Sequence, residues 1–316
     1  MDNKLVYTVI LCAVIFGSDE TLLNVDLGEE FIFKRMSLKP LKDHLDLTFK
    51  TDAMGLRRDY ETARIGENLD IICAFKSYTI CLTEIEAEKY YKEMSDYVLT
   101  YLDDRIRAIR LFVEGPIHFK KLSIEMKSET LRSGETDMCS NINSVIPIGE
   151  AVGTSSISLF HCDNENINEL NNNISSVKFP LSDVLLNNCH RYYDLSYHLD
   201  NFISITLLIT SLEILFLNNE NAKKEKLAKR CSIFLYDNRN DQVSCYKKLI
   251  IAYKKRSDFV HDGNCLQIIN EDILFLRDCV RKSLIKYVNN NYRKSDVIKM
   301  LKTTIKNLDY WSDTRT

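Results

Sequence analysis

Residues 202–217, FISITLLITSLEILFL, decide how the second half of the chain folds. The run is apolar except for small hydroxylated residues and one acid, Glu213. At 16 residues it is too short and too interrupted to cross a bilayer, which takes about 20 apolar residues. It therefore belongs to a helix of a soluble bundle, and the patterns on either side agree. After Pro180 the apolar spacing is helical throughout. It predicts helices over Leu181–Tyr193 and Leu195–Leu217 (two helices, or one that is broken), Ala222–Leu235, Asp241–Val260, Glu271–Asn289 and Ser295–Leu308. Short polar connections between them imply an all-α up-and-down bundle over 181–316.

Working back toward the N-terminus, the period changes. Leu5–Phe16 and Glu20–Phe33 flank the turn cluster Gly17-Ser18-Asp19, and alternation at Leu23, Val25 and Leu27 predicts a hairpin. Asp59–Ile65 and Leu69–Thr83 predict a second strand pair across Gly66-Glu67-Asn68. From Glu84, apolar residues recur at three and four up to Gly115-Pro116, the signature of one long amphipathic helix, and one or two strands follow, chiefly over His118–Met126. Residues 1–165 are thus expected to form an α+β domain. The Asn-rich stretch 166–180 is expected to be a linker, and no internal repeat is visible.

Composition bounds the function. With 45% apolar and 28% charged residues, 9 Gly and 4 Pro, the 316-residue chain is neither fibrous nor low in complexity. The net charge of −3 conceals a split: residues 1–180 carry 20 Lys and Arg against 29 Asp and Glu (−9), and 181–316 carry 22 against 16 (+6). A basic second half suits a polyanionic ligand. Ten cysteines are scattered without a C-x2-C pair, which argues for free thiols in a reducing cytoplasm and against a metal or other cofactor. Leu5–Phe16 imitates a signal peptide but lacks a small-x-small cleavage site, so it is expected to be a buried strand. No membrane attachment is expected.

Phosphate-binding loops, dinucleotide fingerprints, serine-hydrolase elbows and zinc-hydrolase motifs are all missing. What remains is Tyr253-Lys-Lys-Arg256-Ser-Asp-Phe-Val-His261-Asp-Gly263. Five positions separate Arg256 from His261, about 140° around an ideal helix. The two could meet if the helix ended near Phe259 and the Asp262-Gly263 turn re-aimed His261, or if a second subunit completed the site. Arg191 and His198 form a competing pair with R-x6-H spacing.

The order Ser211-Leu212-Glu213, then a Lys-rich helix with Leu227-Ala228 and Arg230-Cys-Ser-Ile-Phe-Leu235, then Arg256-Ser-Asp-Phe-Val-His261-Asp-Gly263 resembles the Apea-like branch of the HEPN superfamily over about residues 195–290. The resemblance implies a HEPN-like bundle that dimerises. In it, the Arg and His of two protomers would form a metal-independent endoribonuclease centre, often in antiviral defence or toxin settings. His261 would be the general acid or base, since imidazole titrates near neutrality, and Arg256 would stabilise the charged phosphate. Ser257, Asp258 and Glu213 would support them. Lys229, Arg230, Lys254 and Lys255 would guide the RNA backbone. The expected products are 2′,3′-cyclic phosphate and 5′-hydroxyl ends, and the acidic first domain would receive a regulator or trigger. The alternative is a catalytically silent HEPN bundle that binds RNA or dimerises.

Overall fold

A computed structural model describes residues 4–36, 71–128, 141–147, 161–218, 220–263 and 268–306. These fall into two compact units, one ending at 178 and the other starting at 179. The first is an antiparallel sheet with helices and the second is helical, so the layout is α+β followed by all-α.

In the first unit, strands β1 (Leu5–Phe16), β2 (Ile32–Met36), β3 (Ile71–Leu82), β4 (His118–Ser128) and β5 (Asn141–Pro147) run in the order β2-β3-β1-β4-β5. The apolar, β-branched run of β1 is central because both its edges are bonded. It pairs with β3 from Leu5↔Leu82 to Val14↔Cys73 and with β4 from Tyr7↔Ser128 to Phe16↔His118. Tyr7, Val9, Leu11, Ala13 and Ile15 form its fully buried face. Helix α1 (Glu84–Phe112) starts at a capping box, in which Glu86 N–H donates to Thr83 Oγ1 (3.3 Å) and Thr83 N–H donates to Glu86 Oε2 (2.8 Å). Its buried stripe Ala87, Met94, Val98, Leu102, Ile106 and Ile109 packs toward β3 and β4.

The expected hairpin between Leu5–Phe16 and Glu20–Phe33 does not form. Glu20–Asn24 is a short 3-10 turn capped by Asp19, and Leu22, Val25 and Leu27 are buried from irregular backbone that mimics strand alternation. Gly28, Glu29 and Glu30 then take positive φ angles of 75°, 48° and 63°, which swing the chain into β2 beside β3. For the two glutamates this costs about 1–2 kcal/mol each. Tyr101 Oη donates to Leu27 O (2.5 Å), Lys76 Nζ to Glu29 O (2.7 Å) and Tyr97 Oη to Glu29 Oε1 (2.5 Å), and together they hold the turn. The strand expected over Leu69–Thr83 is β3; the one expected over Asp59–Ile65 lies outside the described residues.

The Asn-rich stretch read as a linker is also corrected. It contains helix α2 (Ile167–Ser176), which belongs to the first unit and packs on α1. Leu170 and Ile174, four apart, suffice to bury one face. Asn171 Oδ1 accepts from Asp26 N–H (2.9 Å), and Arg105 Nη1 donates to Ile174 O (2.8 Å).

Just before α2, His161 Nδ1 lies 2.6 Å from Asp19 Oδ2 and Nε2 lies 3.4 Å from Asp163 Oδ1. A carboxylate at each ring nitrogen favours the doubly protonated imidazolium. The hydrogen bond to Asp19, then its charge, raises the His161 pKa, and Asp163 acts in the same sense. The latch is therefore complete below the ordinary histidine value, ~6.5, and is lost as pH rises through the raised one. The expected NMR titration midpoint of His161 lies above the ordinary value and falls back in Asp19→Asn; a midpoint indifferent to Asp19→Asn would refute the latch.

The second unit holds α3 (Val184–Leu195), α4 (Asn201–Phe216), α5 (Lys223–Leu235), α6 (Arg239–Asp262), α7 (Asn270–Asn289) and α8 (Lys294–Lys306). Asp183, Asp200 and Asn238 cap α3, α4 and α6 by accepting from first-turn amides. The break between α3 and α4 is held from α7: Arg277 Nε donates to Ser196 Oγ (3.0 Å), and its guanidinium lies 4.1 Å from the centre of the Tyr197 ring. Apolar on all sides, α4 is the hub, packing against α3, α5, α6, α7 and α8. Ile205, Leu208, Ile209, Leu212, Leu215 and Phe216 lose all solvent contact there. Among the described residues no helix is long and apolar enough to cross a membrane.

Candidate functional site

Helix α6 does not end near Phe259. It continues through His261 to Asp262, where Gly263 (φ 66°) closes it by donating its N–H to Phe259 O (3.0 Å). Arg256 and His261 therefore ride one continuous helix, about 140° apart and ~7.5 Å along the axis. A single chain does not bring them together.

Their surroundings differ. Arg256 leaves the helix on the side of Cys245, Leu249 and Ala252, which are buried, and is itself half-buried. Its guanidinium lies 6.0 Å from the centre of the Tyr253 ring, at the outer limit of a cation–π contact. Among the described residues no carboxylate pairs with it, and its Nε is buried without a hydrogen-bond partner. His261 sits on the opposite, exposed stripe with Lys247, Ile251 and Lys254.

Glu213, half-buried on α4, accepts a hydrogen bond from Tyr253 Oη (2.7 Å). Burial, followed by this bond, pushes the Tyr253 phenol up to about 12. Tyr253 thus connects Glu213 to the arginine one helical turn further on, a role that the sequence reading missed. Its place in the apolar stripe of α6 hid the polar end of the ring. Ser257 and Asp258 are partly exposed beside Arg256, and Phe259 packs on Phe202 of α4, ring centres 5.8 Å apart.

The four residues expected to guide RNA separate. Lys254 is exposed and Lys229 is half-buried. Lys255 Nζ is 2.7 Å from Asp272 Oδ2 of α7, and only 16% of its side chain is exposed. Arg230 is corrected outright: at 2% exposure it is part of the core and cannot reach a backbone phosphate. Its Nη1 donates to Phe216 O (2.7 Å), and its two terminal nitrogens grip Glu220 at 2.5 and 3.1 Å. The rival pair is split as well, since Arg191 lies on α3 whereas His198 follows its end at Leu195, its N–H donating to Leu195 O (3.0 Å).

A cleft of about 580 Å³ between Phe234, Tyr236, Lys286, Tyr292 and Met300 lies toward the other end of α6. Gln242 on its wall is 14 residues, ~21 Å, from Arg256. Its lysine is engaged: Lys286 Nζ donates to Phe234 O (2.8 Å) and Leu235 O (3.3 Å), closing the end of α5. Among the described residues no group of three His, Cys, Asp or Glu is placed to hold a metal ion.

No family model, curated protein or solved structure matches the chain. What the side chains can do chemically is then the guide to function. An unpaired guanidinium receives a phosphate through two parallel N–H···O bonds, and an exposed imidazole moves protons near neutral pH.

Proposed function

We propose that the chain is a metal-independent endoribonuclease of the HEPN type, acting as a homodimer. The observation that carries this reading is Arg256. Elsewhere in the second unit Arg230, Lys226, Lys255, Arg281 and Lys282 are each matched to a carboxylate. Arg256 is half-buried with none among the described residues. A partly desolvated cation without a counter-ion is unfavourable, and a substrate phosphate supplies one.

Dimerisation answers the separation along α6 by bringing His261 of one copy toward Arg256 of the other. His261 takes the proton of a ribose 2′-hydroxyl, whose oxygen attacks the adjacent phosphorus. The bond from phosphorus to the 5′-oxygen breaks, and that oxygen takes a proton from a second imidazolium or from water. The ends left are a 2′,3′-cyclic phosphate and a 5′-hydroxyl, with Arg256 balancing the charge that develops on the phosphate. Glu213 and Tyr253 set the position of Arg256, and Lys254 meets the backbone. The acidic first unit would restrain or recruit in a defence or toxin-type role in the cytoplasm, a reading supported by the opposite charges of the two halves.

The alternative, a silent HEPN bundle that binds RNA or dimerises, is favoured by the place of His261 in the last turn of α6, where an imidazolium stabilises the helix end without any catalysis. Incubating the purified chain with total RNA in EDTA and mapping the fragment ends separates the two. Cleavage with cyclic phosphate ends supports the nuclease; intact RNA that remains bound supports the silent bundle.

A further inference from the structure

We infer that the outer edge of β3 is a docking site for an extended peptide strand flanked by basic residues. The inference is independent of the chemistry at Arg256. β2 covers β3 only from Ile71 to Phe75. From Ser77 to Leu82, β3 is bonded on the β1 side alone among the described residues, leaving about half of its amides and carbonyls facing outward.

Exposed edges are normally guarded by a charge, a proline, a bulge or a covering loop. Ser77-Tyr78-Thr79-Ile80-Cys81-Leu82 has no charge, no proline and no glycine, and half of it, Tyr78, Thr79 and Ile80, favours strands. Ser77, Thr79 and Cys81 are exposed on one face. On the other, Tyr78 Oη lies 2.8 Å from Tyr90 Oη and donates to Met94 Sδ (2.9 Å), anchoring the strand to α1. A strand anchored in this way has less freedom to lose when another strand is added.

Among the described residues it is also left open. The positive φ angles of Gly28, Glu29 and Glu30 turn the chain away at the point where β2 would otherwise extend along Ser77–Leu82, and Lys76 fixes that turn. The acids nearby select the occupant. Exposed Glu84 and Glu88 open α1 beyond one end, and Glu30, 3.5 Å from Lys76 Nζ yet 82% exposed, stands at the other. Lys76 is engaged with Glu29 and Glu30. A second copy pairing antiparallel on the same edge would set acid against acid, whereas Lys or Arg flanking a β-branched segment would complement them.

The test titrates the full-length chain with a fluorescein-labelled Lys-Thr-Val-Thr-Val-Thr-Lys peptide, read by anisotropy at low and high salt. Saturable binding that weakens with salt is expected, with amide hydrogen-exchange protection centred on Ser77–Leu82. Methylating alternate peptide nitrogens should weaken binding about tenfold or more, because ladder bonds are lost. Thr79→Lys, which guards the edge while retaining its fold, should do the same. Absent binding, equal affinity for the methylated peptide, or protection elsewhere would overturn the inference. So would concentration-dependent protection of Ser77–Leu82 without peptide, which would assign the edge to a second copy.

Discussion

Replacing His261 with alanine is expected to abolish RNA cleavage while leaving RNA bound. Loss of a general acid or base slows such a reaction by about 10²–10⁴-fold. Arg256→Ala should slow it by about 10²–10³-fold, and Arg256→Lys should not restore it, because an ammonium cannot make the paired donor contact of a guanidinium. Lys255→Ala is the control. Lys255 is tied to Asp272, so its removal should lower the melting temperature and spare the rate per folded molecule. Because α6 holds Arg256 and His261 on different sides, mixing Arg256→Ala with His261→Ala chains should restore some activity through dimers that own one intact pair. Silence from that mixture, with each wild-type site active, would place both residues of a working site on one chain and refute the composite centre.

The second large effect concerns stability. Arg230→Ala takes the donor from the Phe216 carbonyl and leaves Glu220 with only Lys226 Nζ (3.2 Å) and the Asn218 N–H, and losing charge-assisted bonds of this kind costs about 1.5–3 kcal/mol. For a unit of this size the melting transition should fall by ~5 °C or more. Glu220 carries the same information in its titration. The hydrogen bond from Arg230 outweighs burial, and bonds from Asn218 N–H and Lys226 add to it, holding the carboxyl at about 2 rather than 4.5. A depressed carboxylate stabilises the fold fully above its ordinary value, and that contribution fades as pH falls toward 2. Acid unfolding of the second unit should therefore shift to higher pH in Glu220→Gln. An unchanged acid midpoint would show that the pair contributes nothing.

Much of the fold was legible because it is written in local periods. β1, β3, β4, α1 and the six helices after Pro180 all follow from apolar spacing that one face of a strand or helix must satisfy. Errors arose where local pattern and tertiary partner parted. Leu23, Val25 and Leu27 alternate like a strand, yet Val25 and Leu27 are buried beyond a 3-10 turn, and nothing local reveals that β1 pairs with β3 and β4. Polar composition concealed α2, because burying two residues of its ten, Leu170 and Ile174, is enough to seat it. At the candidate site, the segment 253–263 announced Arg256 and His261, but the length of α6 past Phe259 depended on where Gly263 would close it. The fate of Arg230 was invisible among the lysines of α5, since burial depends on Glu220 and Phe216 ten and fourteen residues away.

The central position of α4 also sets an order of events at the ribosome. The helix emerges when only α3 is available to cover it, and Arg277, which locks the α3–α4 turn, follows Ser196 by 81 residues. At typical elongation rates that interval is roughly 4–16 s. Throughout it, the most apolar segment of the second unit remains incompletely covered, a substrate for holding chaperones and for aggregation. The second unit is therefore completed from its C-terminal side: the helix at its centre is made second of the six described and is enclosed only when α7 and α8 arrive.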